Sequence, residues 1–208
     1  MKNKALFLPL ALLLTACASD GRNVGPGEPQ TQNWRSIATA RDRERLREWR
    51  TAWVRALAKS RAAGHGAEIS KEGMLLQPDA ALPEAALPTG DYRCRTIKIG
   101  AKSEGLLDYV AYPPFDCRVT QASDGLQFVK LTGSQRPVGR LFPENDRRMI
   151  FLGTLQLGDE KGVFSYSHDR ERDMAGLVER IGESRWRLVL PYPSFESLID
   201  VIELVPSR

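Results

Sequence analysis

Residues 130–145, KLTGSQRPVGRLFPEN, carry the densest group of side chains able to do chemistry: Thr132, Ser134, Gln135, Arg136 and Arg140. Hydroxyls, an amide and two guanidiniums so close together supply donors for a carboxylate, a sugar or a partner protein. Gly133, Pro137 and Gly139 let the stretch turn, and they would serve a plain tight hairpin equally well. Ser134 follows Gly133 directly and has no glycine two residues on, so the G-x-S-x-G nucleophile elbow is missing. A second group is aromatic: Tyr112 and Phe115 in YPPF, Tyr192 and Phe195 in PYPSF. Two such loops at one end of a barrel would form a recognition surface, or would simply plug that end.

The usual catalytic arrangements are missing. His65 and His168 are the two histidines, and neither has the H-E-x-x-H spacing of a metal site. His168 shares a charged turn with Asp169, Glu171 and Asp173, but Arg170 and Arg172 interrupt it, which reads as a solvated turn. The chain has no Gly-rich phosphate loop and no C-x-x-C pair, and nothing singles out a pair of carboxylates. No catalytic residue, metal or cofactor is therefore assigned. The expectation is a non-enzymatic binding or inhibitor-type module. Its alternatives are a structural factor that docks another envelope protein through a helical face, and an undetected hydrolase.

The elements that must position these residues are mostly strands. Period-two patterns mark strands near 91–99, 107–112, 116–121, 126–132, 137–142, 148–157, 162–167, 174–181, 185–190 and 199–205, with Pro, Gly, Asn and Asp clusters between most of them. Short strands at this spacing, with no intervening helix pattern, predict a mainly β (α+β) fold, an antiparallel barrel or sandwich, and the reading adopted is a meander barrel of about eight strands. Segments 148–157 and 199–205 are apolar on both faces, as expected where a helix covers the outer wall. Residues 34–64 supply that helix. Leu46, Trp49, Trp53, Ala56 and Leu57 fall on one face, Thr39 and Asp42 resemble a capping box, and Gly64 is placed to end it. Its arginines read as a solvated face or as a basic surface for anionic envelope polymers. A short helix near 67–74 would complete a helical hairpin, and the Pro- and Ala-rich stretch 77–90 reads as an extended connector. The domain plan is thus 34–76 helical, 77–90 connector and 91–208 barrel.

The front of the chain is an address. Lys2 and Lys4 precede an apolar run, 5–14, too short for a bilayer, which needs about 20 residues. Leu14-Thr15-Ala16-Cys17 resembles the lipobox of bacterial lipoproteins. That resemblance implies cleavage after residue 16 and lipidation of Cys17. With Ala18 rather than Asp after the cysteine, it also implies an outer-membrane lipoprotein facing the periplasm. Residues 17–33 then form the lipid anchor and a flexible tether. Assigning Cys17 to lipid leaves Cys94 and Cys117 as an even pair in an oxidising compartment, and a disulfide is expected between them.

Composition agrees with a globular domain: 208 residues, 42% hydrophobic and 27% charged. The formal charge is +4, but residues 1–16 hold two lysines and no acid, so the mature chain carries 28 basic against 26 acidic residues, or +2. That balance gives no argument for nucleic acid, and export argues against it. The expected partners are the membrane, through the anchor, and an envelope protein or a small ligand.

The segments WRSIATARDRERLREWRTAW, YRCRTIKIG, YVAYPPFDCRV, KLTGSQRPVGRLFPE, RRMIFLGTLQLGDE, RDMAGLVERIG, RWRLVLPYPSFES and DVIELVP resemble an uncharacterised domain-of-unknown-function family of alphaproteobacterial envelope proteins. The likeness implies an exported, often lipid-anchored protein and supplies no catalytic residues. More loosely, Tyr92-x-Cys94 and Thr132-Gly133-Ser134 are similar to motifs of small lipoprotein barrels of the lysozyme-inhibitor or lipocalin type, a likeness that implies a calycin-like barrel.

Overall fold

Strands that are apolar on two faces need two cores, and the fold supplies one on each side of a single sheet. In the computed structural model, which describes residues 33–158, 160–162 and 164–207, nine strands run in chain order: β1 (Gly90–Ala101), β2 (Tyr109–Ala111), β3 (Phe115–Ala122), β4 (Gly125–Lys130), β5 (Gln135–Asn145), β6 (Arg148–Leu157), β7 (Asp173–Gly182), β8 (Arg185–Pro191) and β9 (Ser197–Pro206). All pairs are antiparallel, in the order β2-β1-β3-β4-β5-β6-β7-β8-β9, and β1 closes on β9. Eight strands make the barrel. The extra strand, β2, sits on the same edge of β1 as β3, but against Ile97–Ile99 rather than Gly90–Cys94.

The inward residues fill the barrel. Phe128 and Phe151 meet edge to face with ring centres 6.0 Å apart, and Tyr92 meets Trp186 at 6.5 Å. Val178, Leu188, Ile202 and Leu204 pack with them. The Phe151 ring lies over a facing pair of glycines, Gly139 and Gly153. A Cβ on Gly153 would stand 2.3 Å from the Val138 carbonyl oxygen and 2.5 Å from that ring. Gly153→Ala is therefore expected to lower stability by about 1–3 kcal/mol, the usual cost of overpacking a core. Gly182→Ala, whose nearest added contact is 3.3 Å, is expected to change it little. Urea denaturation of the two variants beside the parent checks this.

Cys94 and Cys117 form a disulfide between β1 and β3, with Cα atoms 5.9 Å apart. A hairpin turning near residues 102–105 would set the two cysteines directly opposite each other, and the register corrects that reading. Cys94 faces Phe115 and Cys117 faces Tyr92, so the bridge is diagonal. Both cysteines still point inward, because the side-chain period of a strand is two. Closing 23 residues of chain stabilises by roughly 3–4 kcal/mol in the chain-entropy model.

The outward residues form the second core beneath the helices. Ile97, Ile99, Ile150, Leu152, Leu177, Val189, Ile199 and Val201 face Trp53, Ala56, Leu57, Ile69 and Leu75. The cover consists of α1 (Trp34–Ile37), α2 (Ala40–Arg47), α3 (Trp49–Ala62), α4 (Gly66–Lys71) and a 3-10 turn over Gly73–Leu76. The expected long helix divides at Glu48, whose backbone (φ −86°, ψ 8°) leaves the helical region. Thr39 caps α2 as expected, its hydroxyl accepting the Asp42 N–H at 3.1 Å. Asp42 does not return the favour: the Thr39 N–H goes to the Tyr166 hydroxyl at 3.0 Å. Gly64 ends α3 with φ +97°. Gly100 lets α3 come close to β1, since a Cβ there would lie 2.9 Å from Ala56 Cα.

One expected strand is absent. Within 162–167 the described residues form a loop. There Tyr166 hands its hydroxyl to Asp42 at 2.6 Å and Phe164 stacks on His168. Alternating aromatics mimicked a strand, but their partners are a helix cap and a neighbour in the same loop.

Candidate binding site

The two ends of the barrel differ. At one, the connector lies across the opening. Leu82 bridges Arg180, the Ala85 N–H reaches the Asp146 carbonyl at 2.9 Å, and Ala85 and Leu87 join the interior core. At the other end, residues 102–114, 131–134, 158–172 and 192–196 connect the strands, and the barrel opens into a cavity of about 170 Å³. Leu155, Met174, Leu190 and Ile202 line it with apolar surface. Thr96, Lys98, Lys130, Gln135 and Asp200 supply one polar wall, and Glu171, Arg172, Asp173 and Glu196 from the loops supply another; the turn read as solvated thus lines the mouth, with Asp173 buried.

Two inward lysines dominate the electrostatics. Lys98, on β1, stands opposite Asp200 of β9. Its ammonium is 2.8 Å from Glu196, 3.3 Å from Asp200 and 2.9 Å from the Gln135 side-chain oxygen. Burial opposes its charge, but the two carboxylates outweigh burial and hold its pKa above the ordinary lysine value. Burial pushes the Asp200 carboxyl up, against the pull of Lys98 and of the Ser197 hydroxyl, which donates to it.

Lys130, the last residue of β4, is in a different position. It is 4% exposed. Its ammonium donates to the Gln135 carbonyl at 2.8 Å and lies 3.6 Å from the centre of the Phe115 ring. Among the described residues no carboxylate pairs with it. Burial, reinforced by Arg136 and Lys98, drives its pKa from 10.5 down to about 8. A lysine has three N–H donors, and the Gln135 carbonyl takes one.

The sequence-selected residues divide into two sets. Tyr112, Phe115, Ser134, Gln135 and Phe195 all line the cavity, so both Tyr/Pro/Phe loops and the 131–134 turn meet at one end of the barrel. Thr132 sits beside it and accepts the Asp116 N–H at 2.9 Å. Tyr192 adopts a left-handed backbone (φ 47°) to turn the 192–196 loop, and its N–H goes to the Leu198 carbonyl. The two arginines lie outside the cavity wall. Arg136 fastens the β4–β5 turn to the β6–β7 loop through the carbonyls of Gly133 (2.8 Å) and Gly158 (2.6 Å). Arg140 is not in a loop at all: it points outward from the middle of β5, meets Asp124 at 3.0 Å and stacks on Phe142. The stretch was expected to be one polar patch. Strand β5 begins at Gln135, and alternation sends its arginines to the outside.

Neither histidine lines the cavity. His65 stacks on Tyr109 and His168 on Phe164. Among the described residues no hydrogen bond joins Ser134 to Lys130 or to a histidine, and no group of three or more His, Cys, Asp or Glu is arranged to hold a metal. Cys17 lies outside the described residues.

Reading along the chain missed Lys98, Lys130, Glu196 and Asp200. The signal was present for three of them: Lys98 shares the inward phase of Tyr92 and Cys94, Asp200 that of Ile202 and Leu204, and Lys130 that of Phe128. A charged residue at an apolar phase near a strand end marks a barrel mouth. Glu196 had no such mark, since it belongs to a loop.

The arrangement defines a class: a closed antiparallel barrel with a helical outer layer, filled at one end and open at the other onto a desolvated cation. The chain belongs to the family described as Domain of unknown function (DUF4893), which it matches over residues 34–204. That span begins in α1 and ends in β9, so the helical cover and the barrel are one family unit. No curated protein and no solved structure matches the chain.

Proposed function

We propose that the domain is a non-enzymatic binding module that receives a small organic anion in the mouth of its barrel, on a lipoprotein of the cell envelope. One observation carries the ligand class: Lys130 is buried beside an apolar floor with no carboxylate to neutralise it among the described residues. Buried charges are ordinarily paired, and a ligand's carboxylate would complete this one. An apolar cavity of about 150 Å³ takes a benzene ring, so this mouth suits a ligand of roughly six to ten heavy atoms. The apolar part would rest on Phe115, Leu155, Met174 and Phe195. The envelope assignment is supported by the leader-like start, by the likeness of Leu14-Thr15-Ala16-Cys17 to a lipobox, and by the Cys94–Cys117 disulfide, which belongs to an oxidising compartment. The outer membrane is the expected site.

Two measurements test this. Isothermal titration of the full chain with benzoate and hexanoate, beside the uncharged benzyl alcohol and hexanol, should show binding by the acids and at least tenfold weaker binding by the alcohols. Equal binding of acid and alcohol would remove Lys130 from the account. Mass spectrometry of chain extracted from cell membranes should find residues 1–16 gone and acyl groups on Cys17; an intact leader would overturn the lipoprotein assignment.

A further inference from the structure

The charges of the chain are unevenly placed. Residues 33–62 hold nine Lys and Arg against three Asp and Glu, a net +6. Residues 63–208 hold 18 against 21, a net −3. The near-neutral total hides a cationic segment over α1–α3, followed by a mildly acidic remainder of the chain. Such asymmetry points to a polyanionic surface as partner.

The cationic segment borders a cleft. Between α1, α2, the start of α3 and strands β5 and β6 lies a hollow of about 210 Å³, rimmed by Arg35, Arg43, Arg47 and Arg148, with Trp34 and Trp49 in its wall. Its single carboxylate, Glu144, is already engaged by Arg35 at 2.7 Å and by the Trp34 indole N–H at 2.6 Å. Arg148 is committed to buried Glu179 at 2.7 Å. Arg43 donates to the main-chain carbonyls of Arg35 and Ala38, and among the described residues no carboxylate pairs with it. Arg47 meets Glu44 where both are exposed to water, an arrangement that contributes little. Arg43 and Arg47 are thus the cations left for an outside partner.

We infer that this cleft docks the phosphate-bearing headgroups of the membrane to which the chain is tethered. The proximity rests on the lipidation of Cys17 proposed above; the chemistry does not. The helical cover begins at Asn33, 16 residues beyond Cys17. Sixteen residues reach at most about 55 Å when fully extended, so an acylated Cys17 would keep the helical cover within that distance of the bilayer. Guanidinium groups match phosphate oxygens in forked pairs. Tryptophan is the aromatic residue of membrane interfaces. Basic side chains within a Debye length of an anionic surface add attraction residue by residue. Docking here would fix the orientation of the barrel mouth relative to the membrane.

The test uses the full chain carrying Cys17→Ser, so that no acyl group contributes. Co-sedimentation is measured with vesicles of phosphatidylcholine and of phosphatidylcholine with 30% phosphatidylglycerol. At low salt the anionic vesicles are expected to bind at least tenfold more tightly, with the difference shrinking as salt is raised. Arg43→Glu with Arg47→Glu should weaken that binding more than tenfold. Arg93→Glu with Lys161→Glu, the same charge change on the exposed barrel surface, should leave it within twofold. Should the Glu pair fail to fold by circular dichroism, Arg43→Gln with Arg47→Gln replaces it, with a loss of at least threefold expected. Equal binding to both vesicle types, or equal losses in the cleft and barrel variants, would overturn the inference. Failure of lipidation would show in the membrane-extracted mass alone and leave this assay untouched.

Discussion

Arg187→Met is expected to lower the stability of the domain by about 3–5 kcal/mol, the range for breaking a buried ion pair by removing one partner, or roughly 10 °C in melting temperature for a chain of this size. Arg187 points outward from β8 into the core beneath the helices and is 0% exposed. Its Nε and one terminal nitrogen donate to Glu179, at 2.9 and 2.6 Å. The rest of the guanidinium reaches the carbonyls of Met74, Leu75, Gln77 and Pro78 at 2.7–3.1 Å. Its face lies 4.4 Å from the Trp53 ring centre. One side chain thus ties the end of the 3-10 turn, the helix α3 and two strands together. Methionine would match the volume and none of the donors. Glu179 would retain only Arg148, and the carbonyls of Leu75 and Pro78 would lose their donor, while those of Met74 and Gln77 would keep the N–H groups of Gln77 and Ala80. Replacing both charges, with Glu179→Leu added, should recover part of the loss but not all, because the Leu75 and Pro78 carbonyls remain without a donor. Urea denaturation measures both variants, and amide exchange over 73–78 should accelerate in the single variant. A loss under about 1 kcal/mol would mean that the guanidinium merely fills space.

The same residue shows where sequence reading stops. RWRLVL reads as a strand with Trp186, Leu188 and Leu190 on one side, and that alternation is what the barrel interior uses. Arg187 on the other side looks like a solvent-facing charge. Its burial follows from the helical cover, which is remote in sequence, so no local pattern announces it. Features governed by local physics were legible: the Thr39 cap, the left-handed Gly64, the double-sided apolar strands β6 and β9, and the even pair of cysteines. The expected outer helix followed from those strands, because an apolar outer face must be covered. What alternation could not separate was a loop whose aromatics happen to fall two apart, as at Phe164 and Tyr166. At the mouth, the aromatic loops were legible because Tyr, Pro and Phe cluster in them. The lysines went unread, because a lone lysine in a strand is usually an edge or surface residue, although Lys98 and Lys130 stand in the inward phase of Tyr92, Cys94 and Phe128.

Lys130→Met should abolish anion binding and at the same time make the ligand-free domain more stable. The sign follows from the direction of the pKa. In the unfolded chain the lysine titrates near 10.5, and in the folded chain near 8. Between those values the unfolded chain holds a proton that the folded chain has released, so stability rises with pH across that window. Below about 8 the full penalty of keeping an ammonium in the cavity is present. A depression of this size corresponds to roughly 3 kcal/mol of disfavoured charge. Methionine removes that penalty but loses the hydrogen bond to the Gln135 carbonyl, and a net gain of about 1–3 kcal/mol at pH 7 is expected. The variant's stability should also lose its rise between pH 8 and 10.5. Ligand binding runs the other way. A carboxylate beside Lys130 favours the ammonium, so the parent protein should take up a fraction of a proton on binding near pH 8, and its affinity should fall as pH rises beyond that. Thermal melts of parent and variant from pH 6 to 10.5, with benzoate titrations in buffers of different ionisation enthalpy, measure all of this. A variant that melts lower than the parent would make Lys130 a structural residue. A variant that still binds benzoate as tightly would place the anion elsewhere. Stability and binding moving in opposite directions on one substitution is what separates a residue kept for a ligand from one kept for the fold.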